Sequence, residues 1–243
     1  MKIAAISDIH GNLAALEAVL ADIRDRGVDL IVNLGDILSG PLQPSETADL
    51  LMPLGLPTIS GNHERQLLTF NPDEMRPADR FAASMLRADQ REWLALLPET
   101  LRIDDVLLVH GSPNSDLECF LETVTEDGIR QASLEEVEKR VGSVDAALML
   151  CGHTHVQRAV SLLDQRLVVN PGSVGLPAFH DDYPFAYKVE MGSPHARYAI
   201  VESLHGLWSA ELMAVSYDWD TAALTAEARG RDDWGRALRT GRV

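Results

Sequence analysis

Hydrophobic and polar positions alternate along the first hundred residues in two textures, short apolar runs and longer amphipathic ones. KIAAI at 2 to 6 is apolar almost throughout, the pattern of a buried strand. Leu13, Leu16, Val19, Leu20 and Ile23 then recur at helical spacing, with Asn12 placed to cap the first turn. DLIVNL at 29 to 34 reads as the next strand, and SETADLLMPL as a short helix opened by Pro44 and Ser45. LPTIS at 56 to 60 reads as a third strand. This alternation predicts βαβ units and a mainly parallel sheet.

Residues 62 to 97 have a helical pattern, with breaks near Asn71-Pro72 and at Pro77. RIDDVLLVH reads as a hairpin turning at Asp104-Asp105. The acidic stretch from 113 to 143 contains SLEE at 133 to 136, a capping box, and is expected to be a helical excursion forming one wall of a pocket. After AALML the texture changes to short β segments: VQRAV, RLVVN, FAYKV, RYAIVE and LWSAELMAV, expected to form an antiparallel second sheet. The tail from Thr221 is helix-like and carries Arg229, Arg231, Arg236, Arg239 and Arg242, read as packing or solvated residues. No repeat or linker divides the chain, so residues 1–243 are expected to form a single domain.

Charge then narrows the partners. With 21 basic and 37 acidic residues the net charge is −16. Such a surface repels long nucleic acids and anionic membranes. A small anionic substrate remains possible, because bound cations reverse the local potential. Two cysteines, Cys119 and Cys151, support no disulfide framework. The beginning MKIAAISDIHGN turns polar too soon for a signal peptide, and no run has the length of a membrane span. The expected location is the cytoplasm.

Candidate chemistry sits where the apolar runs stop. Five of them end in a polar cluster beside a glycine: IAAI-SDIHG, IVNL-GD, PTIS-GNH, LLV-HG and LML-CGHTH. These ends supply Asp8, His10, Asp36, Asn62, His63, His110, His153 and His155. Carboxyl ends of neighbouring strands in an α/β sheet face one crevice, where such folds bind ligands. Each residue taken singly has a commoner explanation. Asp8 and Asp36 suit turns, Asn62 suits a left-handed turn or a cap, and His110 suits a hydrogen-bonded strand end. Those explanations would have to hold independently at five strand ends, although five of the eight histidines fall in this set. Carboxylates, imidazoles and an amide oxygen favour divalent Mn, Fe, Zn, Co or Ni. Seven possible ligands exceed one tetrahedral ion and suit two. No GxxxxGK[ST] motif is present, and no GxGxxG follows the first strand, which argues against a P-loop or Rossmann nucleotide binder.

The ordered series SDIHG, LGD, GNHE, VHGS and CGHTH resembles the calcineurin-like metallophosphoesterases, in particular their small bacterial and archaeal phosphodiesterase-like branch. NPGSVG at 170 to 175 is similar to a stretch that often follows there, and the resemblance spans about residues 1 to 202. It implies a four-layer α-β-β-α sandwich of two mixed β-sheets flanked by helices. It further implies one metal on Asp8, His10, Asp36 and His155, and another on Asp36, Asn62, His110 and His153, with Asp36 bridging. His63 is left as a catalytic non-ligand near the leaving-group oxygen. The implied reaction is attack of a metal-bridging hydroxide on a small phosphodiester, dinucleoside polyphosphate or phosphomonoester. The implied cofactors are two divalent ions, manganese first, with Fe, Zn, Ni, Co or Mg as alternatives. GDILSG lacks the acid and arginine of the GDxxDRG form of protein phosphatases, which leaves Asn12, Arg65 and Ser173 as candidates for binding substrate. The alternative is a metal-bound scaffold with little catalysis, since the family includes a subunit of the retromer coat.

Overall fold

The computed structural model describes residues 1–243. In chain order its elements are β1 (Lys2–Ile6), α1 (Leu13–Arg24), β2 (Leu30–Asn33), α2 (Pro44–Leu51), α3 (Asn62–Thr69), α4 (Pro77–Met85) and α5 (Ala88–Ala95). A hairpin, β3 (Leu101–Ile103) and β4 (Val106–Leu108), precedes β5 (Glu122–Thr125), β6 (Gly128–Gln131), α6 (Leu134–Val141) and β7 (Leu148–Leu150). Then come β8 (Arg158–Ser161), β9 (Leu167–Asn170), β10 (Ala178–Asp181), β11 (Tyr187–Glu190), β12 (Ala196–Leu204) and β13 (Leu207–Val215). The helices α7 (Trp219–Ala228) and α8 (Asp232–Thr240) end the chain.

Two mixed sheets, ordered β13-β12-β1-β2 and β3-β4-β7-β9-β8, pack face to face. The period-two alternation of each strand sorts its residues between two apolar layers. On β1, Ile3 and Ala5 meet Leu148 and Leu150 of β7 and Val169 of β9 between the sheets. Ala4 and Ile6 turn the other way, onto Leu16, Val19 and Ile23 of α1. On the far side, Met149, Cys151 and Val168 pack on Val137 and Val141 of α6. Helix, sheet, sheet and helix make the four layers expected. Both faces of β1, β7 and β9 are covered, which is why their sequences read as unbroken apolar runs.

Several local expectations hold. The Asn12 side chain caps α1 at Ala15 N, 3.2 Å away, and Pro44 opens α2. The Asp104-Asp105 turn joins β3 to β4. Ser133 and Glu136 form the reciprocal capping box at 2.7 and 3.2 Å. In the tail, Arg229 donates to Pro41 O at 2.7 Å, while Arg231 and Arg239 pair with Asp233 and Asp220 at 2.6 and 3.2 Å, so packing is their role. No helix is long and apolar enough to cross a membrane.

Three expectations need correction. LPTIS contributes only a single parallel bridge, Asn33 to Thr58, because Pro57 has no amide to extend the ladder. The segments after AALML do not form one antiparallel sheet. β9 extends the parallel run of β4 and β7, and β8 pairs antiparallel with β9 at the edge of that sheet, whereas β12 and β13 return to pair beside β1, and β11 forms a ribbon with β10. Residues 113 to 143 are only partly helical, since the β5–β6 hairpin precedes α6.

The inter-sheet layer is expected to carry stability. Leu150→Ala removes a fully buried side chain there and should cost ~3 kcal/mol in urea denaturation. Leu224→Ala, at a position 59% exposed, should stay within about 0.5 kcal/mol of the unmodified protein.

Candidate metal centre

The parallel ladder continues beyond the strand ends into the loops. Asp8 N donates to Gly35 O at 3.0 Å, His10 N to Asp36 O at 3.0 Å, and Gly11 N to Ile37 O at 2.8 Å. On the other sheet Gly152 N donates to His110 O at 2.7 Å. These pairings draw the loops after β1, β2, β4 and β7 to one rim, at the carboxyl ends of the parallel strands of both sheets. Asp8, His10, Asp36, His153 and His155 all adopt left-handed backbone, with φ between 52° and 68°. Non-glycine residues rarely do so, and clustered strain of this kind is typical of functional sites.

Ligand atoms of Asp8, His10 and His155 lie within 4.8 Å of one another, and those of Asp36, His110 and His153 form a second such group. Asn62 Oδ1 joins the second group, 3.1 Å from His110 Nε2 and 3.0 Å from His153 Nδ1. All but the partly accessible His153 are buried. Gly61 and Gly152 have no Cβ because one would strike Asp36 and His110, or Ser7 and Asp8, respectively; close approach rather than turn geometry explains both.

Main-chain carbonyls settle the tautomers. Nδ1 of His10, His110 and His155 donates to Ser39 O, Leu34 O and Leu176 O at 2.8, 2.7 and 2.7 Å. A carbonyl only accepts, so each ring, when neutral, presents the Nε2 lone pair inward. His10 Nε2 and His155 Nε2 are nevertheless 3.1 Å apart. With both Nδ1 protons given to carbonyls, two such rings when neutral have no Nε2 proton to share, and a cation between them would satisfy both lone pairs. His155 Nε2 also lies 3.3 Å from Asp8 Oδ1, and His110 Nε2 lies 3.1 Å from Asp36 Oδ2. Burial, followed by the neighbouring His155, lowers the His10 pKa to about 4. Burial lowers His110 too, but Asp36 outweighs it and raises that pKa to about 10. The donor set of carboxylates, imidazoles and one amide oxygen fits divalent transition ions.

A scan of the whole sequence matches the model of the calcineurin-like phosphoesterase superfamily domain over residues 1–190. The chain belongs to this superfamily. Among relatives, the uncharacterized protein MJ0912 of Methanocaldococcus jannaschii is 29% identical over 192 residues, covering 72% of this chain and 76% of that protein. A metallophosphoesterase from Sphaerobacter thermophilus superposes with a TM-score of 0.73 at 26% identity, covering 97% of this chain and all of the other. The hypothetical protein PH1004 of Pyrococcus horikoshii superposes with a TM-score of 0.77 at 19% identity over 99% and 98% of the two chains, a likeness of fold.

The remaining candidates divide. His63 lies beside the cup without joining either group, its Nε2 4.0 Å from Asp36 Oδ2. Asn12 and Ser173, read as substrate-binding residues, are buried with their polar atoms committed to the fold. Asn12 donates to Gly175 O at 2.9 Å and caps α1, while Ser173 Oγ donates to Asp8 O at 2.7 Å and accepts from Leu176 N. Both therefore brace the Asp8 loop instead. Arg65 is partly exposed and paired with Asp116 at 2.7 Å.

Three supporting residues escaped the sequence reading. Buried Glu64 accepts from Asp36 N and Gly61 N with Oε2, and from Ile37 N with Oε1, at 2.8 to 2.9 Å. The GNHE spacing, with Glu at the third position after Gly61, was its one signal. Asp79 of α4 and Ser39 support His63. His63 Nδ1 donates to Asp79 Oδ1 at 2.9 Å, and Ser39 Oγ donates to the same oxygen at 2.6 Å. Burial depresses the His63 pKa, but Asp36 and Asp79 prevail and raise it to about 9. Nothing local in the sequence points from Asp79 to His63.

Glu64→Gln leaves one acceptor oxygen for three amides. It should cost about 1–3 kcal/mol in urea denaturation and lower metal content measured by elemental analysis. His63→Ala should leave metal content unchanged. Metal loss from the His63 variant would mean that His63 is a ligand.

Proposed function

We propose that this protein hydrolyses small phosphoesters with two divalent cations, manganese first among the candidates. The substrates would be nucleotide-type phosphodiesters, dinucleoside polyphosphates or phosphomonoesters. The observation that carries this reading is the pair of inward Nε2 lone pairs on His10 and His155, set beside a histidine that is not spent as a ligand. Asp8, His10 and His155 would hold one ion, and Asn62, His110 and His153 the other. Asp36, grouped with His110 and His153, would also serve the first ion, as the family resemblance implies. When bound, such a pair supplies Lewis acidity, which lowers the pKa of water and neutralises charge on phosphate oxygens.

The rest of the chemistry belongs to the chain. Asp79 holds the Nδ1 proton of His63, so Nε2 is the ring atom turned toward the cup. A proton carried there can pass to the departing oxygen as its bond to phosphorus breaks. The His63 amide donates to Asp36 Oδ1 at 2.9 Å, which ties the position of the acid to that of the bridging carboxylate. Arg65, at the rim on α3, can exchange Asp116 for a phosphate oxygen. A scaffold that merely bound metal would have no use for the Ser39–Asp79 support of His63. The negative surface disfavours long nucleic acids as substrates.

Bis(4-nitrophenyl) phosphate and 4-nitrophenyl phosphate, assayed with several divalent cations before and after chelation, test the reading. Activity should vanish on chelation and return with added metal; hydrolysis indifferent to chelation would sink the proposal. His63→Ala should lower kcat by roughly 10²–10⁴-fold with metal content intact, and Asp79→Asn by less. Both losses should be larger for an alkyl leaving group than for nitrophenolate, which departs without a proton.

A further inference from the structure

A cavity of about 300 Å³ lies beyond the metal ligands, between the loop that follows His110 and the turn that joins β10 to β11. Its walls are rooted in the centre on two sides. Glu122, at its edge, accepts from Thr154 Oγ1 at 2.7 Å, and Thr154 separates His153 from His155. On the other side Phe179 of β10 packs against the His155 ring, with centroids 4.6 Å apart. Leu117, Val124, Tyr183 and Pro184 give the cavity apolar surface, and the Tyr183 side chain is largely exposed.

Its polar groups are Glu118, Glu122 and Arg140 together with smaller side chains, and most of their hydrogen bonds are already made. Glu122 spends its other oxygen on Arg158 Nε at 2.8 Å. Arg140 Nη1 donates to Phe120 O and Glu122 O at 2.9 and 3.0 Å, and Nη2 donates to Thr123 Oγ1 at 2.8 Å. Glu118 Oε2 accepts from Ser112 Oγ. Glu118 Oε1 and Arg140 Nε–H, 4.0 Å apart, are an acceptor and a donor left over side by side, and one Nη2–H of Arg140 is also unspent. That separation is too long for them to satisfy each other. An adjacent donor and acceptor beside an exposed aromatic ring match the edge and the face of an amino-substituted heterocycle.

We propose that this cavity binds an adenine- or cytosine-type base of a nucleotide substrate. Its exocyclic amine donates to Glu118 Oε1, its ring nitrogen accepts from Arg140 Nε, and its face stacks on Tyr183. The proposal rests on the phosphoesterase reading only for the other half of the substrate, the phosphate at the metals. Uracil and hypoxanthine present the opposite order of carbonyl and N–H, and would set a carbonyl oxygen against the Glu118 carboxylate.

Nucleosides without phosphate, titrated into the full-length protein by calorimetry or saturation-transfer NMR, test base recognition apart from catalysis. Adenosine and cytidine should bind at least tenfold more tightly than inosine and uridine. Tyr183→Ala and Glu118→Ala should each weaken adenosine at least tenfold, whereas Tyr183→Phe should preserve it. Hydrolysis of bis(4-nitrophenyl) phosphate, which has no base, should be unchanged in these variants. Absence of nucleoside binding, equal affinity for adenosine and inosine, or indifference to both alanine substitutions would overturn the proposal. An unmodified protein inert toward bis(4-nitrophenyl) phosphate but selective for adenosine would instead count against the phosphoesterase reading alone.

Discussion

Hydrogen bonds from imidazole to main-chain carbonyl govern this molecule. Ser39 O, Leu34 O and Leu176 O each take the Nδ1 proton of a buried histidine, and each thereby turns Nε2 toward the same small volume. Those carbonyls sit on loops from both sheets, so the orientation of the rings is a property of the whole sandwich. The inter-sheet packing of Ile3 and Ala5 against Leu148 and Leu150 holds the two rims in register. Without that layer the donors would have no common focus.

The convergence is costly, and the structure shows where the cost is met. Five candidate ligand residues sit in left-handed backbone, with acidic groups and imidazoles crowded in a buried cup. Loop-to-loop hydrogen bonds oppose the strain, as does the Glu64 carboxylate, which gathers three amides from two different loops. A bound cation would satisfy the facing Nε2 atoms of His10 and His155. Backbone rigidity and metal affinity are thus two aspects of one arrangement.

Much of this was legible in the sequence where the signal is local. The apolar run of β1, the Asn12 cap, the Asp104-Asp105 turn and the Ser133–Glu136 box depend on residues within a few positions of one another. The candidate metal ligands were legible because each ends an apolar run beside a glycine. Pairing across the chain was not. RYAIVE has the same alternation whether it neighbours LWSAELMAV alone or also lies against β1, nearly two hundred residues earlier. Nor does a polar loop residue reveal which way it faces. Ser173 and Asn12 looked available for substrate, yet Ser173 bonds a carbonyl and Asn12 a carbonyl and a helix amide. Asp79 stands in a helix with its own caps and pattern, and only the tertiary fold brings it to His63.

Asp79 stands apart from the rest of the centre. At the position in GDILSG where protein phosphatases have the acid of GDxxDRG, this chain has Ser39, and α4 supplies a carboxylate from outside the ligand loops. Asp79 is buried there, and a change at it would touch the support of His63 and not the loops that carry the candidate ligands. Holding the ions and holding the His63 proton are thus duties of separate parts of the chain.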